Sequence, residues 1–169
     1  MHVFQPVELD EILEGAFKFG GETWALLTAG KDDKVNAMTI SWGGLVHVWD
    51  KTCAVFFVRE SRYTRELMDA SKKVSVSFLH HENYKDLKGY LGSVSGRDEN
   101  KIEKANLNVS YWEDIPYINE ADNVIVCKIL FKQLMTEESF VSGRLIADHY
   151  RNGDFHYTYI AEIKQVLIR

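Results

Sequence analysis

The sequence predicts a mainly β protein, a barrel with a few helices packed on it. Two observations carry this expectation. Runs rich in Val, Ile, Phe, Tyr and Thr recur along the chain, most of them about 10 to 20 residues apart, as in barrels and sandwiches. Helical patterns are fewer and do not alternate regularly with these runs, which argues against a doubly wound nucleotide fold. The chain also lacks a G-x-G-x-x-G or Walker loop, so any bound nucleotide is held by other means.

The elements follow in order. Glu8 to Leu13 has the pattern of a short helix. Trp24 to Ala29 and Ala37 to Ser41 read as strands, and the polar turn Gly30-Lys31-Asp32-Asp33-Lys34 between them predicts a hairpin. Cys53 to Val58 is an apolar strand that leads into a helical pattern, Thr64 to Ser71. Val74 to Leu79 is the next strand. Asn83 to Leu91 is apolar at Tyr84, Leu87, Tyr90 and Leu91, which is helical spacing. Asp98 to Ala105 reads as a short polar helix, capped by Asp98, with Ile102 and Ala105 facing inward. Strands are predicted at Val124 to Leu130, Ser139 to Ala147 and His156 to Val166.

Bulk properties narrow the function. At 169 residues the chain is expected to form one domain, 1–169, with 46% hydrophobic and 27% charged residues, an ordinary soluble globular composition. The formal net charge of -5 argues against nucleic acid or an anionic membrane as partner. No apolar run approaches the roughly 20 residues of a membrane-spanning helix, and the first residues lack a signal-peptide pattern, so a cytoplasmic protein is expected. Cys53 and Cys127 lie in apolar runs without C-x-x-C spacing and read as small buried thiols. No metal site is expected: the adjacent pair His80-His81 would point to opposite faces of a strand.

Two stretches carry most of the chemistry. Asn36-Ala37-Met38-Thr39-Ile40-Ser41-Trp42-Gly43-Gly44 is a polar, small-residue run that begins at a turn and enters a strand. Its small residues let a backbone approach a flat ring closely, and Asn36, Thr39 and Ser41 offer hydrogen bonds. The alternative is an ordinary strand with Trp42 in the core. Arg59-Glu60-Ser61-Arg62-Tyr63-Thr64 gathers two arginines, a serine and a threonine at a strand-to-helix turn. Hydroxyls, helix N-terminal amides and guanidinium groups there make a cup for an anion such as phosphate. Ser61 also fits as a simple helix N-cap. No Gly-x-Ser-x-Gly elbow, His-Glu-x-x-His or paired-carboxylate spacing suggests other catalysis.

With Ser95-Gly96-Arg97-Asp98 and Lys101 following them, these blocks resemble the flavin reductase-like, FMN-binding split-barrel family. The segment Gly153-Asp154-Phe155-His156-Tyr157-Thr158-Tyr159-Ile160-Ala161-Glu162-Ile163 is similar to the family's Gly-Asp-His-x-x-x-x-Gly-Glu-Val. It has one extra residue before the histidine and Ala161 in place of glycine. The resemblance spans about Thr23 to Val166, and implies a split β-barrel. It implies that Asn36, Ala37, Met38, Thr39, Ser41 and Trp42 lie along the flavin. Ser61, Arg62 and Thr64 are then expected to hold the FMN phosphate, with Arg59 and Tyr63 nearby. Lys101 would reach it across a subunit boundary, unless it is a solvated helix lysine. His156 is the expected catalytic residue near flavin and nicotinamide, with His149 as its rival because the extra Phe155 disturbs the register.

The activity so implied is that of an NAD(P)H-dependent flavin reductase, passing electrons from NADH or NADPH to flavin and on to a small-molecule or protein acceptor. The alternatives are a flavoredoxin-like FMN electron carrier, or a non-enzymatic flavin- or haem-binding sensor. The resemblance also implies a homodimer with the flavin site at the subunit interface.

Overall fold

A computed structural model of the protein describes residues 24–79 and 84–168. The expected helix at Glu8 to Leu13, the pair His80-His81 and Asn83 lie outside the described residues.

The chain begins with the expected hairpin, β1 (Ala25–Lys31) and β2 (Lys34–Ile40), with Lys31 opposite Lys34 and Asp32 in the left-handed region at φ 54°. A second hairpin follows, β3 (Gly43–Val48) and β4 (Lys51–Arg59). Trp49 and Asp50 both have positive φ, 53° and 54°, the backbone of a two-residue turn that matches the strand twist. Next come α1 (Tyr63–Ser71), β5 (Lys73–Phe78), α2 (Lys85–Ser93) and the single turn α3 (Lys101–Lys104). A separate small hairpin, β6 (Val109–Trp112) and β7 (Ile115–Ile118), precedes the two longest strands, β8 (Asn123–Leu134) and β9 (His156–Ile168). Between these two lie a 3-10 turn (Glu137–Ser139) and α4 (Gly143–His149).

Seven strands form one antiparallel sheet in the order β2-β1-β5-β8-β9-β4-β3. Laid flat, its margins would be about 29 Å apart. Yet β2 and β3, at opposite margins, are joined only by Ser41 and Trp42, a link that spans at most about 11 Å. The sheet must therefore roll up, leaving a seam between β2 and β3 where no ladder forms. Two register shifts between β8 and β9, with Lys164 of β9 and Leu130 of β8 as the extra residues, help these long strands bend.

Rolling the sheet creates two cores. One holds Leu27, Met38, Phe56, Val76, Phe78, Ile125 and Tyr159, and α1 adds Leu67 and Met68. The other holds Leu26, Ala37, Val124 and Val126 from the opposite strand faces, packed with Leu91 of α2, Ile102 of α3 and Ile115 and Ile118 of β7. Strands covered on both faces read as continuous apolar runs, which explains the uninterrupted burial of β1 from Ala25 to Ala29. Cys53 and Cys127 are free and buried. They lie on strands either side of β9, about 9–10 Å apart by strand spacing, too far for a disulfide.

Several expectations are corrected. Ser139 to Ala147 is not a strand but the 3-10 turn followed by α4. Thr136 and Ser139 cap each other's backbone reciprocally, and such local bonds compete with a ladder. The Gly-rich run Gly43–Val48 is a strand that composition hides, because glycine weakens the signal. The third helix starts later than expected, with Asn100 rather than Asp98 as its cap, accepting from the Glu103 amide. Ile102 is buried there, as expected.

Candidate functional site: a cationic cavity beside an aromatic cluster

The turn after β4 delivers Ser61 to Thr64 to one end of the barrel. Arg62 occupies the N-cap position of α1, with extended backbone and no side-chain cap. Ser61 is thus not the cap. Its amide and hydroxyl both donate to the Asp154 carboxylate, at 3.1 and 2.7 Å. The amides of Tyr63 and Thr64 open the helix without intrahelical acceptors, as in any first turn. Thr64 is buried and its hydroxyl accepts a 2.8 Å bond from Asn36 Nδ2.

β2 splits its motif between two faces. Asn36 and Met38 point toward α1 and line a cavity of about 190 Å³ with Ser61, Arg62, Tyr63, Thr64, the 93–97 loop and Lys101. Ala37 and Thr39 point the other way: Ala37 joins the second core, and the Thr39 hydroxyl donates to the Lys88 carbonyl of α2. Neither of these two side chains lines the cavity. Gly96 comes so close to Asn36 that a Cβ there would sit 2.1 Å from Asn36 Oδ1. Only glycine permits that approach.

The charge of this cavity is one-sided. Arg62, Arg97 and Lys101 line it, and no carboxylate does among the described residues. Arg97 is tied down, donating to the Ser61 carbonyl and to Glu66, and its guanidinium lies 5.4 Å from the Tyr63 ring centroid. Lys101 is only 3% exposed, so it is not a solvated helix lysine. Its ammonium donates to the Leu91 and Val94 carbonyls at 2.7 and 2.9 Å, leaving a third donor. Burial, and then the nearby charge of Arg62, push its pKa down to about 8. The Arg62 guanidinium itself has no hydrogen-bond or ion-pair partner among the described residues. A phosphate would supply the missing negative charge, and the cavity, equal to about six waters of liquid volume, has room for one.

Arg59 plays a different part. Its guanidinium donates to the carbonyls of Asp154 (2.6 Å) and His149 (3.2 Å), fastening the chain that enters β9. His156 pairs with Arg59 across the β4–β9 ladder and is buried. Trp42 is not in the core. It is 41% exposed, and its ring centroid lies 4.9 Å from His156 and 5.4 Å from His149. Both candidate histidines therefore touch Trp42, but His149 is exposed and His156 is enclosed. Burial, then Arg59, with Arg62 and His149 adding to it against the opposing pull of Asp154, lower the His156 pKa to about 4. The ring is neutral at neutral pH. Ser41 is half-buried in the link between β2 and β3. Asp154, Tyr150 and Gly96 shape the site although the motif reading gave them no role there.

The sequence matches the flavin reductase like domain over residues 21–164. The chain belongs to this flavin reductase-like, FMN-binding family. No match is found among curated proteins. Among solved structures the chain is similar to flavoredoxin from Methanosarcina acetivorans, at 22% identity and a TM-score of 0.67, covering 87% of this chain and 68% of that one. It is similar to an FMN-binding protein from Thermus thermophilus with bound 1-cyclohex-2-enone, at 20% identity and 0.66, covering 99% and 80%. It also resembles the NADH:FAD oxidoreductase SgcE6 of Streptomyces globisporus, at 14% identity and 0.63, covering 87% and 75%. These likenesses show the split-barrel fold expected from the sequence. No helix among the described residues is long and apolar enough to cross a membrane.

Proposed function

We propose that the protein binds FMN, with its phosphate in the cavity at the start of α1, and acts as an NAD(P)H-dependent flavin reductase. The observation that carries this is the charge imbalance there: Arg62 and Lys101 face one cavity with no carboxylate between them. When bound, FMN supplies the hydride and electron chemistry. The residues supply binding and orientation. Arg62, Lys101 and the first amides of α1 hold the anion. Asn36, donating to Thr64 and packed on Gly96, shapes the wall of the same cavity. Trp42 walls the aromatic side, and the neutral His156 ring orients what lies against it.

The flavin site is completed by a second copy of the chain in this reading. β3 is a margin strand exposing Leu45 and Val46, and Trp49 at its turn and Trp42 at its start are also exposed. Uncovered apolar side chains on a margin strand beside a site suit a self-complementary interface. A flavoredoxin-like carrier would use the same cavity, and its support is the likeness to flavoredoxin.

The absorption spectrum of the FMN-loaded protein under anaerobic NADH or NADPH tests the proposal. Rapid bleaching of the flavin band is expected and names the donor. A band that persists with both donors favours the carrier. Failure to take up FMN at all refutes the assignment of the cavity.

A further inference from the structure

His156 has a hydrogen-bond partner outside the sequence motifs. The Tyr150 hydroxyl lies 2.8 Å from His156 Nδ1, and both residues are buried. Among the described residues, the other acceptor near this hydroxyl is Met135 Sδ, at 3.8 Å. A phenol has one proton to give, and an imidazole nitrogen at 2.8 Å is a much better acceptor than a thioether at 3.8 Å. Donation from the hydroxyl to Nδ1 places the ring proton of a neutral imidazole on Nε2.

Tyr150 is braced for this task. Its ring stacks on Phe155, with centroids 4.9 Å apart and planes 17° apart. Phe140 packs against both rings, at 5.3 and 6.0 Å. The Arg59 guanidinium lies 5.4 Å from the Tyr150 centroid while it holds the carbonyls of His149 and Asp154 on either side of the turn. Phe155 is the extra residue that separates Gly-Asp from the histidine in this chain. The insertion has a physical use: it provides the surface on which Tyr150 rests.

We propose that Tyr150, braced by Phe155, is a positioning residue that locks His156 as the Nε2–H tautomer, a hydrogen-bond donor rather than a base. This rests on the reading of His156 as facing the bound flavin. The charged and titratable groups around the ring are Arg59 of β4, Arg62 before α1, Asp154 before β9 and His149 of α4. All but Asp154 disfavour the imidazolium, so the ring remains neutral and its tautomer becomes the property left to set.

Nitrogen-15 NMR of the histidine rings in the 169-residue chain reads the tautomer directly, first without FMN and then with it. The expected wild-type result is an unprotonated Nδ1 and a protonated Nε2 that does not titrate down to about pH 5. In Tyr150→Phe the ring is expected to populate both tautomers, with its titration midpoint raised by about one pH unit. A wild-type proton on Nδ1 overturns the proposal, and so does a Tyr150→Phe ring with unchanged tautomer and titration. Should that variant fail to fold, the wild-type spectrum decides alone. In the FMN-loaded protein, Tyr150→Phe is expected to slow flavin reduction by NADH or NADPH about tenfold with FMN affinity unchanged. Equal rates overturn the positioning role. A protein that binds no FMN refutes the flavin reading separately, since the tautomer is measured without it.

Discussion

Arg62 is a half-buried guanidinium whose charge no carboxylate of the cavity offsets. Arg62→Ala is expected to weaken FMN binding by about 1.5–3 kcal/mol, the scale of a charge-assisted hydrogen bond, as read by fluorescence titration. Unchanged affinity in a folded variant would remove the phosphate from this cavity. Lys101 adds a pH signature. Its pKa in the free protein is pushed down to about 8, whereas a bound anion raises it, so binding takes up a proton above that value. FMN affinity should then fall with rising pH beyond about 8, approaching tenfold per unit. Lys101→Met should bind more weakly at neutral pH and lose this alkaline decline. Arg62, Asn36 and Thr64 were legible in the sequence because they sit in two compact blocks. Asp154 stood in the 153–163 motif without a role, and Tyr150 stood in none: both reach the site from the turn before β9, through bonds that only the fold brings together.

At the scale of elements, the placement of α1 decides whether the cavity exists. Asp69, in its last turn, accepts from Arg65 (2.9 Å), from Lys132 of β8 (2.6 Å) and from Tyr159 of β9 (3.0 Å). Burial raises its pKa, but these three donors outweigh burial and hold it below the usual carboxylate range. Lys132 also sits 3.9 Å from the Tyr157 ring centroid. Asp69→Ala strands these donors and should destabilise the fold by about 1–3 kcal/mol, measured by urea denaturation. A loss within about 0.5 kcal/mol would mean that Leu67 and Met68 anchor the helix without this clasp. Long elements of clear period, such as α1, β5, β8 and β9, were readable. The 139–147 segment was not: Phe140 packs on Tyr150 and Phe155 instead of pairing in a sheet, and Val141 and Leu145 are exposed.

At the scale of the whole molecule, the exposed side chains of Leu45, Val46 and Trp49 predict self-association. Light scattering coupled to gel filtration should report twice the chain mass of 19.5 kDa. Leu45→Glu should give monomers that bind FMN more weakly, because a second copy completes the site in the proposed arrangement. Monomers of the unaltered chain with full FMN affinity would confine the site to one protomer. The barrel was legible as a class because its strand runs are frequent and regular. Its strand order was not, because pairing partners such as Cys53 and Glu162 are far apart in the chain.

The seam of the barrel has a consequence for how the protein breathes. β2 and β3 each pair on one side only, with β1 and β4, so part of their backbone lacks a ladder partner among the described residues. In heavy water, their outward amides should exchange deuterium well before those of β8 and β9, which are paired on both sides. Asn36 and Met38 line the cavity from one side of that seam, and Trp42 bridges it. FMN seated there should slow deuterium uptake across 36–44 more than anywhere in the β8–β9 ladder.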